Sequence, residues 1–160
     1  MNRNKISFAA LLLALVLLSS CTPMTPEEPR TLSLRFREID LTIGMAAKDV
    51  IEQLGDDYTM TEAESCAGVG VDRMYTYPSV RLYVFAPAEG EAVISSVSYT
   101  DDGVATADGL RIGSGRQDVI AAMGEADEAS DTRLIYRGKG CVLTFGLRDG
   151  VVVSVVLAGE

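Results

Sequence analysis

Apolar positions recur at a spacing of two, with further apolar residues between them in places, in six segments of the chain. They are RMYTY (73–77), VRLYVFA (80–86), AVISSVSY (92–99), RLIYR (133–137), CVLTFG (141–146) and VVVSVVL (151–157). Branched and aromatic residues in such runs, bounded by Gly and Asp, predict antiparallel strands. Gly138-Lys139-Gly140 and Asp149-Gly150 supply tight turns between the last three. Residues 32–36, LSLRF, also alternate and predict an edge strand. Two stretches keep another period. In LTIGMAAKDVIEQLG (41–55) and LRIGSGRQDVIAAMG (110–124), Val50, Ile51 and Leu54, or Val119, Ile120 and Met123, fall at i, i+1 and i+4. That spacing predicts one apolar face of a short helix, closed by Gly55 or Gly124 as a left-handed C-terminal cap. Ser114 and Gln117 have capping-box spacing at the start of the second helix, whereas Met45 offers the first no side-chain oxygen.

The two helical stretches share Leu, Ile, Gly, Asp, Val, Ile and Gly at matching places. The expected fold is therefore α+β: two tandem repeats, each a helix followed by a three-stranded meander. A helix this short is not stable alone, and a meander has one face needing cover. Together the repeats would form one antiparallel sheet with both helices on one face. Residues 32–105 and 106–160 are the expected repeats of one domain.

The phrase Ile-Gly-Met-x-x-x-x-Val-Ile-x-x-Leu-Gly at 43–55, echoed at 112–124, resembles the opening of the small BamE/SmpA lipoprotein family. Its tandem arrangement resembles the beta-lactamase inhibitor protein fold. The resemblance implies a cell-envelope module that binds another protein. The family often places Pro soon after the helix-ending Gly, where this chain has Gly55-Asp56-Asp57 and Gly124-Glu125-Ala126. No functional residue of the family maps onto a position here.

The first residues, MNRNKISFAALLLALVLLSSC, carry Arg3 and Lys5, then an apolar run, then Ser19-Ser20-Cys21. That order predicts a lipoprotein signal peptide over 1–20, with Cys21 the lipidated first residue of the mature chain. The run is shorter than the roughly 20 apolar residues of a membrane span. Residues 21–31, with Pro23, Pro26 and Pro29, read as an extended tether. Loss of the leader moves the formal charge from −9 to 12 − 23 = −11. Nucleic acid is excluded as a partner by that balance, since phosphate binding needs a basic footprint. Membrane attachment then depends on the acyl chains.

Histidine is absent, which excludes His-dependent nucleophile and metal sites. Gly113-Ser114-Gly115 lacks the third glycine of a dinucleotide loop and reads as helix entry. Asp101-Asp102-Gly103 with Asp108, and Asp56-Asp57-Tyr58, are acidic loops without calcium-loop spacing. No catalytic residue, cofactor or metal site is expected. Cys66 and Cys141 leave a disulfide open, because pairing requires geometry. One sheet face is expected to carry Arg73, Tyr75, Tyr77, Arg81, Tyr83 and Phe85, the other Met74, Leu82 and Val84. The aromatic and Arg set is either an open interface or, if Tyr83 and Phe85 match Leu143 and Phe145, part of the core. The expected function is a lipid-anchored cell-envelope protein displaying a scaffold, assembly or inhibitor-like binding module for another envelope protein. The alternatives are a small-ligand or cation-binding module using the acidic loops, and an enzyme of unrecognised type.

Overall fold

The computed structural model describes residues 30–66 and 68–160. The expected leader, Cys21 and the proline-spaced stretch up to residue 29 lie outside them. Among the described residues no helix is long and apolar enough to cross a membrane.

A hairpin of β1 (Leu34–Phe36) and β2 (Ile39–Leu41) comes first and forms its own two-stranded sheet. Arg37 and Glu38 between them both take positive φ, 48° and 65°. Helix α1 (Ala47–Leu54) precedes β3 (Thr59–Glu64), β4 (Gly70–Tyr77), β5 (Val80–Pro87) and β6 (Val93–Tyr99). Helix α2 (Arg116–Met123) precedes β7 (Glu128–Ser130), β8 (Arg133–Gly138), β9 (Cys141–Arg148) and β10 (Val151–Gly159). The last eight strands form one sheet in the order β3-β4-β5-β6-β10-β9-β8-β7. Every pairing is antiparallel, and β6 against β10 is the seam, with Tyr99 opposite Val155 and Val97 opposite Leu157.

This architecture overturns the expected α+β class of helix-plus-three-strand repeats. The described residues are mostly β, with 48% strand, 12% helix and an eight-stranded antiparallel sheet. The physical reason lies at the sheet edges. Strands β3 (TMTEAE) and β7 (EAS) are exposed at every position, so neither carries the apolar alternation by which a strand is recognised. Each helix has only eight residues. The predicted edge strand 32–36 is shorter than expected and pairs with β2 rather than with the main sheet.

Opposed residues in an antiparallel ladder share a face. On one face, Tyr77, Val80, Tyr99 and Val155 form one row; Tyr75, Leu82, Val97, Leu157, Leu143 and Tyr136 form the next. These residues are buried together with Val50, Leu54, Val119, Leu34 and Leu41 in a single core, so both helices and the β1–β2 hairpin contribute to covering the same face. Ile51 and Ile120, expected on the buried helix faces, are only partly buried against that core. A helix of two turns presents a narrow contact stripe, and Val50 and Val119 occupy its centre with no exposure.

Both helices end the same way. Gly55 and Gly124 donate their N–H groups to Ile51 and Ile120 at 2.9 Å, with φ +80° and ψ −176° and −169°. That is the extended positive-φ region reached essentially by glycine, rather than the left-handed helical cap expected. The carbonyls of these glycines accept hydrogen bonds from Tyr77 Oη at 3.1 Å and Tyr136 Oη at 3.0 Å. Each helix end is thereby fixed to a core strand. At its start, α2 begins after Gly115, whose N–H donates to the Asp118 carboxylate at 2.9 Å. Ser114 Oγ instead accepts from the Arg111 N–H at 3.0 Å, so the expected Ser114–Gln117 box is not the cap.

Candidate functional site

The turn between β4 and β5 decides where the six candidate interface residues lie. Only Pro78 and Ser79 separate Tyr77 from Val80, which face each other across the ladder. Odd-numbered positions of β4 therefore share a face with even-numbered positions of β5. Tyr75 lies opposite Leu82, Arg73 opposite Val84, Met74 opposite Tyr83 and Thr76 opposite Arg81. The expected grouping of all six on one face is corrected accordingly: Arg73, Tyr75 and Tyr77 lie on the covered face, and Arg81, Tyr83 and Phe85 on the helix-free face.

On the covered side, Tyr77 is buried, and that burial pushes its phenol up to about 12. Its ring stands 5.7 Å from Phe36 and 5.3 Å from Tyr58, with the Arg37 guanidinium 5.6 Å above it. Tyr75 packs edge-on to Tyr58 at 5.0 Å. Arg73 is held by Glu62 on the edge strand, Nε to Oε2 2.7 Å, and its pKa is raised by that hydrogen bond. All three lie on the covered side of the sheet. The matching of Tyr83 and Phe85 to Leu143 and Phe145 fails by one residue: Val80, Leu82, Val84 and Ala86 are the buried residues of β5, whereas Tyr83 is 36% exposed and Phe85 half-buried.

The helix-free face is a field of short side chains. One row of partners crosses all eight strands: Thr59, Thr76, Arg81, Ser98, Val156, Thr144, Ile135 and Glu128. The next row runs Thr61, Met74, Tyr83, Ser96, Ala158, Val142 and Arg137. Met74 and Tyr83 of that row, with Phe85 opposite Asp72 in the next, bring large apolar groups to the face beside a shallow depression of about 420 Å³ lined by Asp72, Tyr83, Ser95 and Ser96. Sequence reasoning missed Met74, Thr76, Ser96, Ser98 and Thr144. The two-residue Pro78-Ser79 loop, read for parity, was the signal that places Met74 and Thr76 here.

Charge on this face differs from that of the chain. Arg81, Arg133, Arg137 and, at a strand end, Arg148 alternate onto it, against Asp72, Glu128 and, at the margin, Glu160. The balance is 4 − 3 = +1, within a chain of formal charge −9. Arg137 is engaged by Glu128 and, at 3.0 Å, by Glu160 at the margin. Arg81 is not engaged: its Nε is buried without a hydrogen-bond partner, the one such side-chain atom among the described residues.

The acidic loops are occupied differently. Asp101 is held below the usual carboxylate range by hydrogen bonds from Ser79 and from the Gly103 N–H. Asp57 pairs with Arg37 at 3.0 Å beside an open depression of about 430 Å³ that Asp56, Tyr58 and Tyr77 also line. Among the described residues no group of three or more potential metal ligands converges. Cys66 is exposed and Cys141 buried, and both are free thiols, so they form no disulfide in this structure.

No family model, curated protein or solved structure matches the chain.

Proposed function

We propose that the chain is a lipid-anchored extracytoplasmic module that binds another cell-envelope protein through the helix-free face of its eight-stranded sheet, and works by binding rather than catalysis. The observation that supports this reading most is the asymmetry of the sheet. One face is closed by two helices and a hairpin, while the other carries an exposed Tyr83 and half-buried Phe85, Met74 and Arg81 among hydroxyl and aliphatic side chains. Aromatic residues, Met and Arg are the types enriched at protein interfaces. Ser, Thr, Ala and Val around them let a partner's backbone approach closely.

The tether belongs to the same proposal. An acylated Cys21 would hold the module within reach of a membrane and raise the effective concentration of any partner there, so a modest interface suffices. Two variants separate the parts of the reading. Cys21→Ser is expected to leave an unprocessed or released chain while wild type partitions into detergent; equal partitioning of both removes the anchor. Tyr83→Glu is expected to abolish in-cell crosslinking to the partner with the fold intact. Undiminished crosslinking to the same protein removes the sheet face, and the loops around Asp56 and Asp101 become the place to look.

A further inference from the structure

We infer that the partner is recognised through a carboxylate, an acidic side chain or a chain terminus, which docks on Arg81 on the helix-free face, beside the β4–β5 turn. The inference rests on the docking-face reading above and names the chemistry that the face selects.

Three observations carry it. Arg81 sits on the third of eight strands, one residue after the strand begins, opposite Thr76 on one side and Ser98 on the other. Its guanidinium makes no ion pair or hydrogen bond with any described residue, and its Nε is cut off from water without a partner. The other arginines of the first half behave otherwise: Arg35 bridges Asp40 at 2.8 Å, Arg37 pairs with Asp57 at 3.0 Å and Arg73 with Glu62 at 2.7 Å. Arg133 and Arg148 on the same face also lack an ion pair, but Arg81 alone among the described residues combines that with a buried side-chain nitrogen that has no partner.

The chemistry of the occupant follows from the neighbourhood. A guanidinium presents parallel N–H donors in a rigid fork that a carboxylate matches with two bonds. Thr76 and Ser98 lie opposite it on the two neighbouring strands, Tyr83 is two residues along its own strand, and Val156 is two strands across on the same face. One cation ringed by hydroxyl and apolar groups suits a singly charged group carried on a protein surface. A phosphate dianion or an anionic bilayer calls for several converging cations, and a chain of formal charge −9 is repelled by such a surface. Asp72, a carboxylate of the face, lies four residue positions away along the strands, about 13 Å between backbones at strand rise, and Asp101, nearer in the fold, is already held by Ser79 and the Gly103 N–H.

The test uses the full chain in non-ionic detergent, isotopically labelled so that the Arg81 Nε–H and the amides of Thr76, Tyr83 and Ser98 are observed by NMR. The probes are a blocked peptide Val-Glu-Val-Tyr, its Gln and Lys counterparts, and phosphatidylglycerol vesicles. The Glu peptide is expected to shift the Arg81 Nε–H and the flanking amides at concentrations up to about 10 mM, a range in which millimolar affinity is visible. Arg81→Gln should weaken that response about tenfold or more, and Arg81→Lys should recover it only in part because the fork is lost. Both variants retain the wild-type spectrum elsewhere if they fold. Equal shifts with the Glu and Gln peptides overturn the carboxylate assignment while leaving the docking face standing. No shift at Arg81 with the Glu peptide overturns it too, as does a response to the vesicles alone. The docking face itself falls only if crosslinkers placed on it capture nothing in cells.

Discussion

Leu82 and Tyr83 are neighbours in sequence that the ladder sends to opposite faces, so the same substitution at each has opposite consequences. Leu82 is fully buried between Tyr75 and Val97, and Tyr83 is 36% exposed between Met74 and Ser96. Removing a core leucine side chain costs about 2–5 kcal/mol. Placing a carboxylate there without a partner adds several kcal/mol more, about the same again. The sum rivals the whole stability of an ordinary domain, about 5–15 kcal/mol. Leu82→Glu is therefore expected to be largely unfolded at neutral pH. Tyr83→Glu loses strand propensity and surface packing alone, about 1 kcal/mol. Urea titration of the full-length proteins, followed by circular dichroism, reads both. The sign with pH is a further check: burial raises the new carboxyl's folded pKa above its unfolded value of about 4.3, so the stability of Leu82→Glu should recover as pH falls toward 4. A wild-type midpoint for Leu82→Glu, or unfolding by Tyr83→Glu alone, would refute the face assignment.

Three other outcomes follow from the same geometry. Gly124→Ala should cost about 1–3 kcal/mol from backbone strain alone, because φ is +80° there while no atom stands within 4 Å of the added methyl group; a neutral result in denaturant titration removes the proposed helix-end constraint. Burial pushes the phenols of Tyr77 and Tyr99 up to about 12, so the folded state holds their protons longer than the unfolded chain does, and stability should fall as pH rises from about 10 to 12. Tyr99→Phe should flatten that decline, and an unchanged slope would exclude Tyr99 as its source. A thiol reagent should modify Cys66 rapidly in the native protein and Cys141 only on unfolding, since Cys141 is buried and its pKa is raised by that burial; mass spectrometry after brief labelling distinguishes the two.

The central strands were legible because burial on one face imposes alternation. Val80, Leu82, Val84 and Cys141, Leu143, Phe145, Leu147 write it plainly, and Asp149-Gly150, with φ 52° and 75°, turns the chain where the sequence predicts. Strands β3 and β7 were not legible, since an edge strand exposed on both faces has no apolar phase to display. The β1–β2 turn was hidden for another reason: Arg37 and Glu38 adopt positive φ without the Gly or Asn that usually announces it. The site was misread in phase. Tyr75, Tyr77, Tyr83 and Phe85 share odd numbers, but a two-residue loop reverses parity between strands, so half of the expected set belongs to the core. Arg81 is of a different kind, because a partnerless guanidinium is a property of three-dimensional surroundings that composition does not record.

The docking face is tested most directly by placing a photo-activated crosslinker, one position at a time, in the full-length protein expressed in its native cells. Positions 83, 98 and 144 sample the helix-free face, and positions 52 and 118, on α1 and α2, sample the covered side. The account predicts that the first three capture the same envelope protein and the last two do not, with capture lost on Arg81→Gln at unchanged protein level. Capture of that protein from 52 and 118, with none from 83, 98 or 144, would contradict it.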